Sequence, residues 1–577
     1  MKESTLPRIP MLGIALLQGF CLYALYHALD TKSWPTYSPL WSYPLWTLAV
    51  MAPLMLLLSV DARNYRSAAT LVAAFSAVLA LLAVYTGWQA SPFNRFPVSS
   101  LNFAFGASIT LASFKALMYV QQRADGVPLS YPVLFTNSWR NFLVGVLSGL
   151  FAFIFWLILM LWAQLFKVIE IDFFYDLFTE EWFSIPALCV AFGLGISLFR
   201  DLTRVIDSIT KLLHWLIKLL LPLVIFVATV FLAALPFVGL QPLWSTGNGT
   251  ALLLWLLAVL LFFTNAVYQD GREADPYPGW IHGLIMAGLC LTPVIAALSL
   301  YGLVLRLNQY GWTVQRCWAF VVWAILALFS LGYVAAILRG RTAWTARLGR
   351  VNTAMGLVVL AIMLLANSPL LDFRKISLHS QLGRVEAGEI ELSEFDFWYA
   401  KNHLARPGYL AMKKMKEEIG DSNPELRAMI DHPVRRRAEQ DETDVAKMWA
   451  KLVYLPEEFS IPADLRPLVD ATFHSYSYVA GDPVMFRADL DSDGQFEYLL
   501  MLLQSYTFGF AEFYYRTDDG WQKGYLQHGW RTLDKEQRDQ FMKGDFRLVA
   551  PRYQEFEIAG ITFRPVRAAP SSREQEP

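Results

Sequence analysis

Carboxylates recur at every second position in Asp489-Leu-Asp491-Ser-Asp493-Gly494-Gln-Phe-Glu497. Oxygen donors at the first, third and fifth places of a loop, with a glycine at the sixth to admit a sharp turn, are what a hard cation such as Ca2+ requires. Glu497 would add a fourth donor. The twelfth place is Leu500, so the bidentate glutamate of a helix–loop–helix calcium site is missing. The flanking residues are strand-like, which places the loop closer to D-x-D-x-D-G-x-x-D/E turns. The site set would be Asp489, Asp491, Asp493 and Glu497, with Ca2+ the one cofactor in view. The competing reading needs no metal: an Asp/Gly hairpin turn held by side-chain-to-backbone hydrogen bonds and hydration. Both readings stand on the sequence.

A second kind of chemistry lies in cations placed among apolar residues. Lys115 falls inside one apolar run, and Arg306 and Arg316 bracket the junction between two others. A charge at bilayer depth is expensive and marks a functional position by default. Lys115 stands six residues before Gln121 and can instead extend its stem toward the nearer interface. Arg306 and Arg316 read as a site for an anionic headgroup or substrate, with anchoring as the plainer alternative. Gln18, Asn102, Asn265 and Asn352 are further polar residues in or near apolar runs. The stretch Glu170-Ile-Asp172 to Glu180-Glu181 is acidic and aromatic, as an interfacial loop tolerates. The eight histidines are scattered, and no HExxH, GxSxG, P-loop or GxGxxG string occurs. The four cysteines all lie in apolar stretches without metal-ligand spacing and read as small apolar side chains.

The elements that must position these residues fall into two chemically different parts. Of 577 residues, 55% are hydrophobic and 17% charged, against roughly 45–50% and 25% in soluble domains. Residues 1–371 hold 21 Lys/Arg and 14 Asp/Glu, and residues 372–577 hold 27 and 35. A basic apolar part followed by an acidic polar part reads as membrane portion and aqueous portion. A spanning helix needs about 20 predominantly apolar residues. Eleven such runs occur, at 10–29, 41–60, 67–88, 101–121, 140–166, 183–200, 216–240, 250–268, 280–304, 314–338 and 351–371. The first is followed by Asp30-Thr-Lys-Ser-Trp-Pro35 rather than a small-residue cleavage site, so it is expected to remain as a span. Trp and Tyr cluster near run ends, where amphipathic rings sit at headgroup level.

With the N-terminus inside, the cytoplasmic segments carry fifteen Lys/Arg and the opposite segments before residue 372 carry four. That asymmetry sets the orientation by the positive-inside rule, and an odd number of spans puts residues 372–577 outside the cytoplasm. The expected fold is a membrane all-α bundle over residues 1–371 followed by a soluble α+β domain. Within it, residues 372–475 are expected to be mainly helical, 476–567 β-rich, and the Ser/Glu/Pro-rich tail 568–577 disordered. Ser393-Glu-Phe-Asp396 suggests a helix start, and Asn423-Pro424 another with proline in its first turn. Strands are expected near 484–487, 495–503, 509–516, 521–527, 546–549 and 556–566, and a short helix at 533–542. The run Arg435-Arg436-Arg437 reads as a solvated face.

Two strings stand apart. One is Tyr301-Gly-Leu-Val-Leu-Arg306-Leu-Asn-Gln-Tyr310-Gly311-Trp-Thr313-Val-Gln-Arg316. The other is Asn367-Ser-Pro-Leu-Leu-Asp372-Phe-Arg-Lys-Ile-Ser377-Leu-His-Ser380-Gln381-Leu-Gly-Arg384, then Phe395-Asp396-Phe397. With the preceding spans they resemble the bacterial inner-membrane family called domain of unknown function 4153. The resemblance implies a bacterial polytopic membrane protein, and it carries no activity and no catalytic residues. Three roles remain in play. The first is a non-enzymatic envelope protein that binds or senses a ligand, the reading preferred here. The second is a transporter or lipid-handling permease, which should show paired Gly/Pro-interrupted spans; Pro186, Pro222 and Pro293 are its candidates. The third is an intramembrane enzyme. The expected partners are the lipid bilayer and a protein or small-molecule ligand; nothing calls for nucleic acid.

Overall fold

Leucine, phenylalanine, alanine and valine dominate the long helices, and charged residues are sparse within them. The computed structural model describes residues 8–245, 247–268, 276–340, 344–420 and 423–431, and beyond them 433, 445, 448–455, 459–476, 482–490, 494–503, 508–517, 520–525, 556–558 and 561–563. It divides into two compact units, Met1–Asp431 and His432–Pro577.

The first unit is helical. Its elements are α1 (Arg8–Asp30), α2 (Pro39–Ser59), α3 (Tyr65–Gln89), α4 (Ser99–Ala124), α5 (Tyr131–Val168), α6 (Phe173–Thr179), α7 (Glu181–Asp201) and α8 (Thr203–Val238). They continue with α9 (Gln241–Ser245), α10 (Gly249–Tyr268), α11 (Gly279–Cys290), α12 (Thr292–Tyr310), α13 (Val314–Gly340) and α14 (Trp344–Leu365). Counting α11 and α12 as one broken segment, eleven among the described residues are long and apolar enough to cross a membrane, one for each run expected from the sequence. Their exterior is apolar: Phe103 is 79% exposed, Leu81 and Trp255 72%. An apolar exterior of this extent needs a lipid-like surrounding.

Close packing in the bundle depends on small residues. A Cβ on Gly19 would stand 2.5 Å from Pro186 Cα, and one on Gly193 2.5 Å from Ala15 Cβ, so α1 and α7 meet almost backbone to backbone. Polar glue adds to this. Asn352 Nδ2 donates to Tyr131 Oη at 2.9 Å and to Asn265 Oδ1 at 2.8 Å, while Tyr333 Oη donates to Asn352 Oδ1 at 2.8 Å. Tyr131 also donates to Asn265. Two of the polar residues noted in the sequence, Asn265 and Asn352, are therefore partners that tie α5, α10, α13 and α14 together. The break between α11 and α12 falls at Leu291. Pro293, in the first turn of α12, has no N–H to offer the preceding turn.

The two ends of the bundle are distinct. At one end Asn64 donates to Asp125 at 2.6 Å, Arg200 to Leu57 O at 2.6 Å and Arg140 to Arg200 O at 2.7 Å, and Arg8 pairs with Asp201 at 2.9 Å. The other end carries four further helices: α15 (Phe373–Glu386), α16 (Phe397–His403), α17 (Ala405–Ile419) and α18 (Pro424–Asp431). Asp372 caps α15 by accepting from Arg374 N at 3.0 Å. It also accepts from Tyr85 Oη at 2.7 Å and from Gln89. Asp396 caps α16 by accepting from Tyr399 N at 2.7 Å, and the capping box sits just upstream at Glu391 and Glu394. Asn423 accepts from Leu426 N at 3.0 Å ahead of Pro424. The helices close over Phe395, Phe397, Leu404 and Met412.

In the second unit a five-stranded sheet runs in the order β1 (Val453–Leu455), β2 (Asp482–Ala488), β3 (Glu497–Leu503), β4 (Phe508–Thr517), β5 (Gly520–Tyr525). β1 is parallel to β2 and the others are antiparallel. α19 (Arg466–Tyr476) packs Val469 and Phe473 against Met485, Leu500 and Leu502, while Val484, Phe486, Leu499 and Met501 form a separate cluster. Alternate residues of β2 and β3 are thus buried on opposite faces. This explains why Tyr498–Leu503 is an unbroken apolar run rather than an alternating one. β6 (Phe556–Ile558) and β7 (Ile561–Phe563) form a separate pair. The helix expected at 533–542, the strand at 546–549, the tail 568–577 and the Arg435–Arg437 run lie outside the described residues.

Candidate functional site

Tyr310-Gly311-Trp312-Thr313 is a helix stop followed at once by a helix start. Gly311, at φ +68°, ends α12, and its N–H donates to Leu307 O at 2.8 Å. Thr313 opens α13, accepting on its Oγ1 from Arg316 N at 3.3 Å and on its carbonyl from Cys317 N at 2.9 Å. Such a turn leaves backbone groups unsatisfied, and α15 and α16 supply them with partners. Gln381 Nε2 donates to Tyr310 O at 2.9 Å and Trp312 O at 3.0 Å; Ser380 Oγ accepts from Trp312 N at 3.0 Å; Ser377 Oγ donates to Trp312 O at 3.1 Å. Tyr399 Oη accepts from Val314 N at 2.7 Å, and Arg384 donates to Gln309 O at 3.2 Å. Burial pushes the Tyr399 phenol above its ordinary value, with its hydrogen bonds to Ser377 and Val314 acting the other way. The two strings singled out in the sequence are therefore two halves of one interlocked junction.

That junction aims two cations at one place. The Arg316 guanidinium turns back to accept-rich backbone, donating to Gly311 O at 2.7 Å and Tyr310 O at 3.3 Å, and lies 5.2 Å from the Tyr310 ring centroid. Arg306 lies 6.0 Å from the same centroid. Both arginines, with Trp244, Thr250, Gly247 and Gly302, line a cavity of about 220 Å³. Gly302 is required there: a Cβ would collide with the Trp244 ring and with Thr250. Trp244 Nε1 is buried and makes no hydrogen bond among the described residues. No carboxylate pairs with Arg306 or Arg316 among the described residues. Two like charges on the wall of a small cavity are the electrostatic complement of a compact anion with several acceptor oxygens.

Of the residues expected from sequence, Arg306 and Arg316 come together. Lys115 sits half-buried on α4 and is not part of this cavity. Trp244, Thr250 and Gly302 were not foreseen, since a lone Trp, Thr and Gly carry no spacing signal. In the second unit the Asp-rich loop joins antiparallel β2 and β3. Asp489 Oδ2 accepts from Gly494 N at 3.1 Å, and Glu497 Oε2 accepts from Leu490 N at 2.6 Å. These two carboxylates serve the turn in the way an Asx-type hairpin uses them; Asp491 and Asp493 lie outside the described residues.

Comparison with known proteins gives one match. The model of a family described as Domain of unknown function (DUF4153) matches residues 22–415, from the first long helix into α17. No curated protein and no solved structure matches the chain.

Proposed function

The chain belongs to the Domain of unknown function (DUF4153) family, and from that premise we propose that it is a bacterial cytoplasmic-membrane protein whose role is to bind an anionic ligand without transforming it. The eleven apolar helices cross the bilayer, the N-terminus is cytoplasmic, and the α15 end with its anion cavity lies on the extracytoplasmic side. The observation that carries this reading is the cavity between α9, α10, α12 and α13. Arg306 and Arg316 share the Tyr310 ring there beside the unpartnered Trp244 indole. The ligand class is a phosphate-type anion, which at this depth is a lipid headgroup.

A permease built on repeats would interrupt a matching span in each half. Here Pro186 and Pro222 lie inside unbroken helices, and only the α11–α12 segment is broken among the described spans. That asymmetry favours binding over transport. The test is thermal unfolding of the purified full-length protein in neutral-lipid nanodiscs and in nanodiscs containing phosphatidylglycerol. The wild type should gain stability from the anionic lipid. R306Q/R316Q should start from a lower melting point in neutral lipid, because Arg316 no longer donates to Gly311 O and Tyr310 O, and should show a clearly smaller gain from the anionic lipid than the wild type. Equal gains in both proteins would sink the reading.

A further inference from the structure

A second cavity, of about 480 Å³, lies between α2, α4 and the segment 90–98. Its walls are mainly apolar, with Val50, Met51, Phe93, Phe105 and Ile109 among them. Polar groups also line it, among them Ser42, Thr47, Asn94 and the Tyr43–Asn102 hydrogen bond, 2.5 Å from Oη to Oδ1, near the α15 end of both helices. The volume is within the ordinary range for a small-molecule site.

Three observations identify the occupant. The first is depth. On α2 the lining runs from Pro39 to Met51, which at 1.5 Å per residue is about 18 Å. One leaflet of a bilayer has a hydrocarbon depth of about 15 Å. The cavity therefore reaches from the interface to about the midplane, the reach of one lipid chain. The second is access. Asn102 and Gly106 line this cavity and also an apolar groove on the outside of α4, shared with Phe103, Leu111 and Phe114. The cavity thus adjoins a surface that faces hydrocarbon. The third is charge at the interfacial end. Next to the lining residue Ala90, Arg406 donates to Ser91 O at 3.1 Å and stacks 4.7 Å from the Trp88 centroid, with Lys375 Nζ 5.7 Å from the same ring. Arg374 and Arg406 each bury an Nε with no hydrogen bond among the described residues.

We infer that this cavity is a lateral lipid site: one hydrocarbon chain of an anionic membrane lipid enters past Gly106 between α2 and α4, with its phosphate at the Arg374–Arg406 end. The site is separate from the Arg306–Arg316 cavity and does not depend on it. Gly106 offers the test, because a Cβ there meets nothing within 4 Å. A larger side chain can therefore start from this shared edge of cavity and groove without an immediate backbone clash. Full-length protein is reconstituted with phosphatidylglycerol carrying a diazirine on one acyl chain, irradiated, digested and mapped by mass spectrometry. Wild type should label peptides containing Tyr43–Met51 and Phe105–Ile109 several-fold above the lipid-exposed face of α5. G106F should lower that labelling at least about fivefold. G145F, at an equally open position on α5, should leave it unchanged, as should R306Q/R316Q. If G106F fails to fold, V50W narrows the same cavity from the facing wall. Labelling no higher than on α5, or undiminished in the filled variant, would overturn the proposal.

Discussion

Gly311 shows how one residue can be over-determined. Its φ of +68° disfavours any side chain, and a Cβ would lie 3.0 Å from Gln381 Nε2 and Ser380 Oγ, atoms already engaged with the turn. Gly311→Ala should cost at least about 1–2 kcal/mol from the backbone alone and should loosen the α15 staple as well. Thermal unfolding of the full-length protein would register it, and an unchanged midpoint would contradict the account. Tyr399 makes a second residue-scale prediction. Its phenol ionises at a higher pH folded than unfolded, so its contribution is fully present below the ordinary tyrosine value of about 10 and is lost as pH rises through the folded value. Wild type should therefore lose stability above about pH 10 more steeply than Tyr399→Phe. Denaturant melts across that range would show parallel curves if the burial of this hydroxyl did not matter.

At the scale of elements, the seam between α1 and α7 is the most demanding contact. Gly19 stands against Pro186 and Gly193 against Ala15, with no room for a methyl group. Gly193→Leu should separate the two helices and cost about 3 kcal/mol or more, the upper end for overpacking. Gly145→Leu, on α5 where a Cβ meets nothing, should be near neutral. Size-exclusion profiles and melting of both variants decide the matter, and similar behaviour would mean that α1 and α7 can part without penalty. The sheet of the second unit depends on a different element-scale feature. Glu512 is 1% exposed on β4, accepts from Thr472 Oγ1 at 2.8 Å and lies 3.4 Å from Lys523 Nζ. Glu512→Ala would leave the Thr472 hydroxyl without this acceptor and would remove one carboxylate from beside the partly exposed Lys523 ammonium. The expected cost is about 1–3 kcal/mol, discounted for the solvent that reaches Lys523. It would be read as faster hydrogen exchange in β4 and α19.

At the scale of the whole molecule, side-chain contacts at the two ends of the bundle follow the alternation of an odd set of crossings. The residue 90–98 segment, the Tyr310–Thr313 turn and α15–α17 meet at one end, through Arg406–Ser91, Ser100–Asn402 and Trp312–Ser380. The segments after α2, α4 and α7 meet at the other. Combined with the sequence reading that gives the cytoplasmic segments fifteen Lys/Arg against four, this predicts an extracytoplasmic C-terminus. A phosphatase fused after Pro577 should be active and a cytoplasm-dependent fluorescent reporter dark; the reverse pattern would invert the whole topology.

Local physical chemistry made the eleven helices legible, because transfer from water to hydrocarbon is nearly additive along a run of residues and needs no knowledge of neighbours. The same holds for strands β2 to β5, whose signals lie within a few residues of chain. β1 was not legible: three residues are too few to show a period, and its partner β2 lies some thirty residues on. Arg306 and Arg316 stood out from sequence as charges in apolar surroundings. That they converge on Tyr310, and that Trp244, Thr250 and Gly302 complete their cavity, depends on how α9, α10, α12 and α13 are rotated against one another. The chamber beside Gly106 and the fit of α15 to the Tyr310–Thr313 turn have the same origin. Side-chain meetings across dozens to hundreds of residues are decided by the mutual packing of preformed helices, and that packing is a property of the assembled bundle rather than of any one segment.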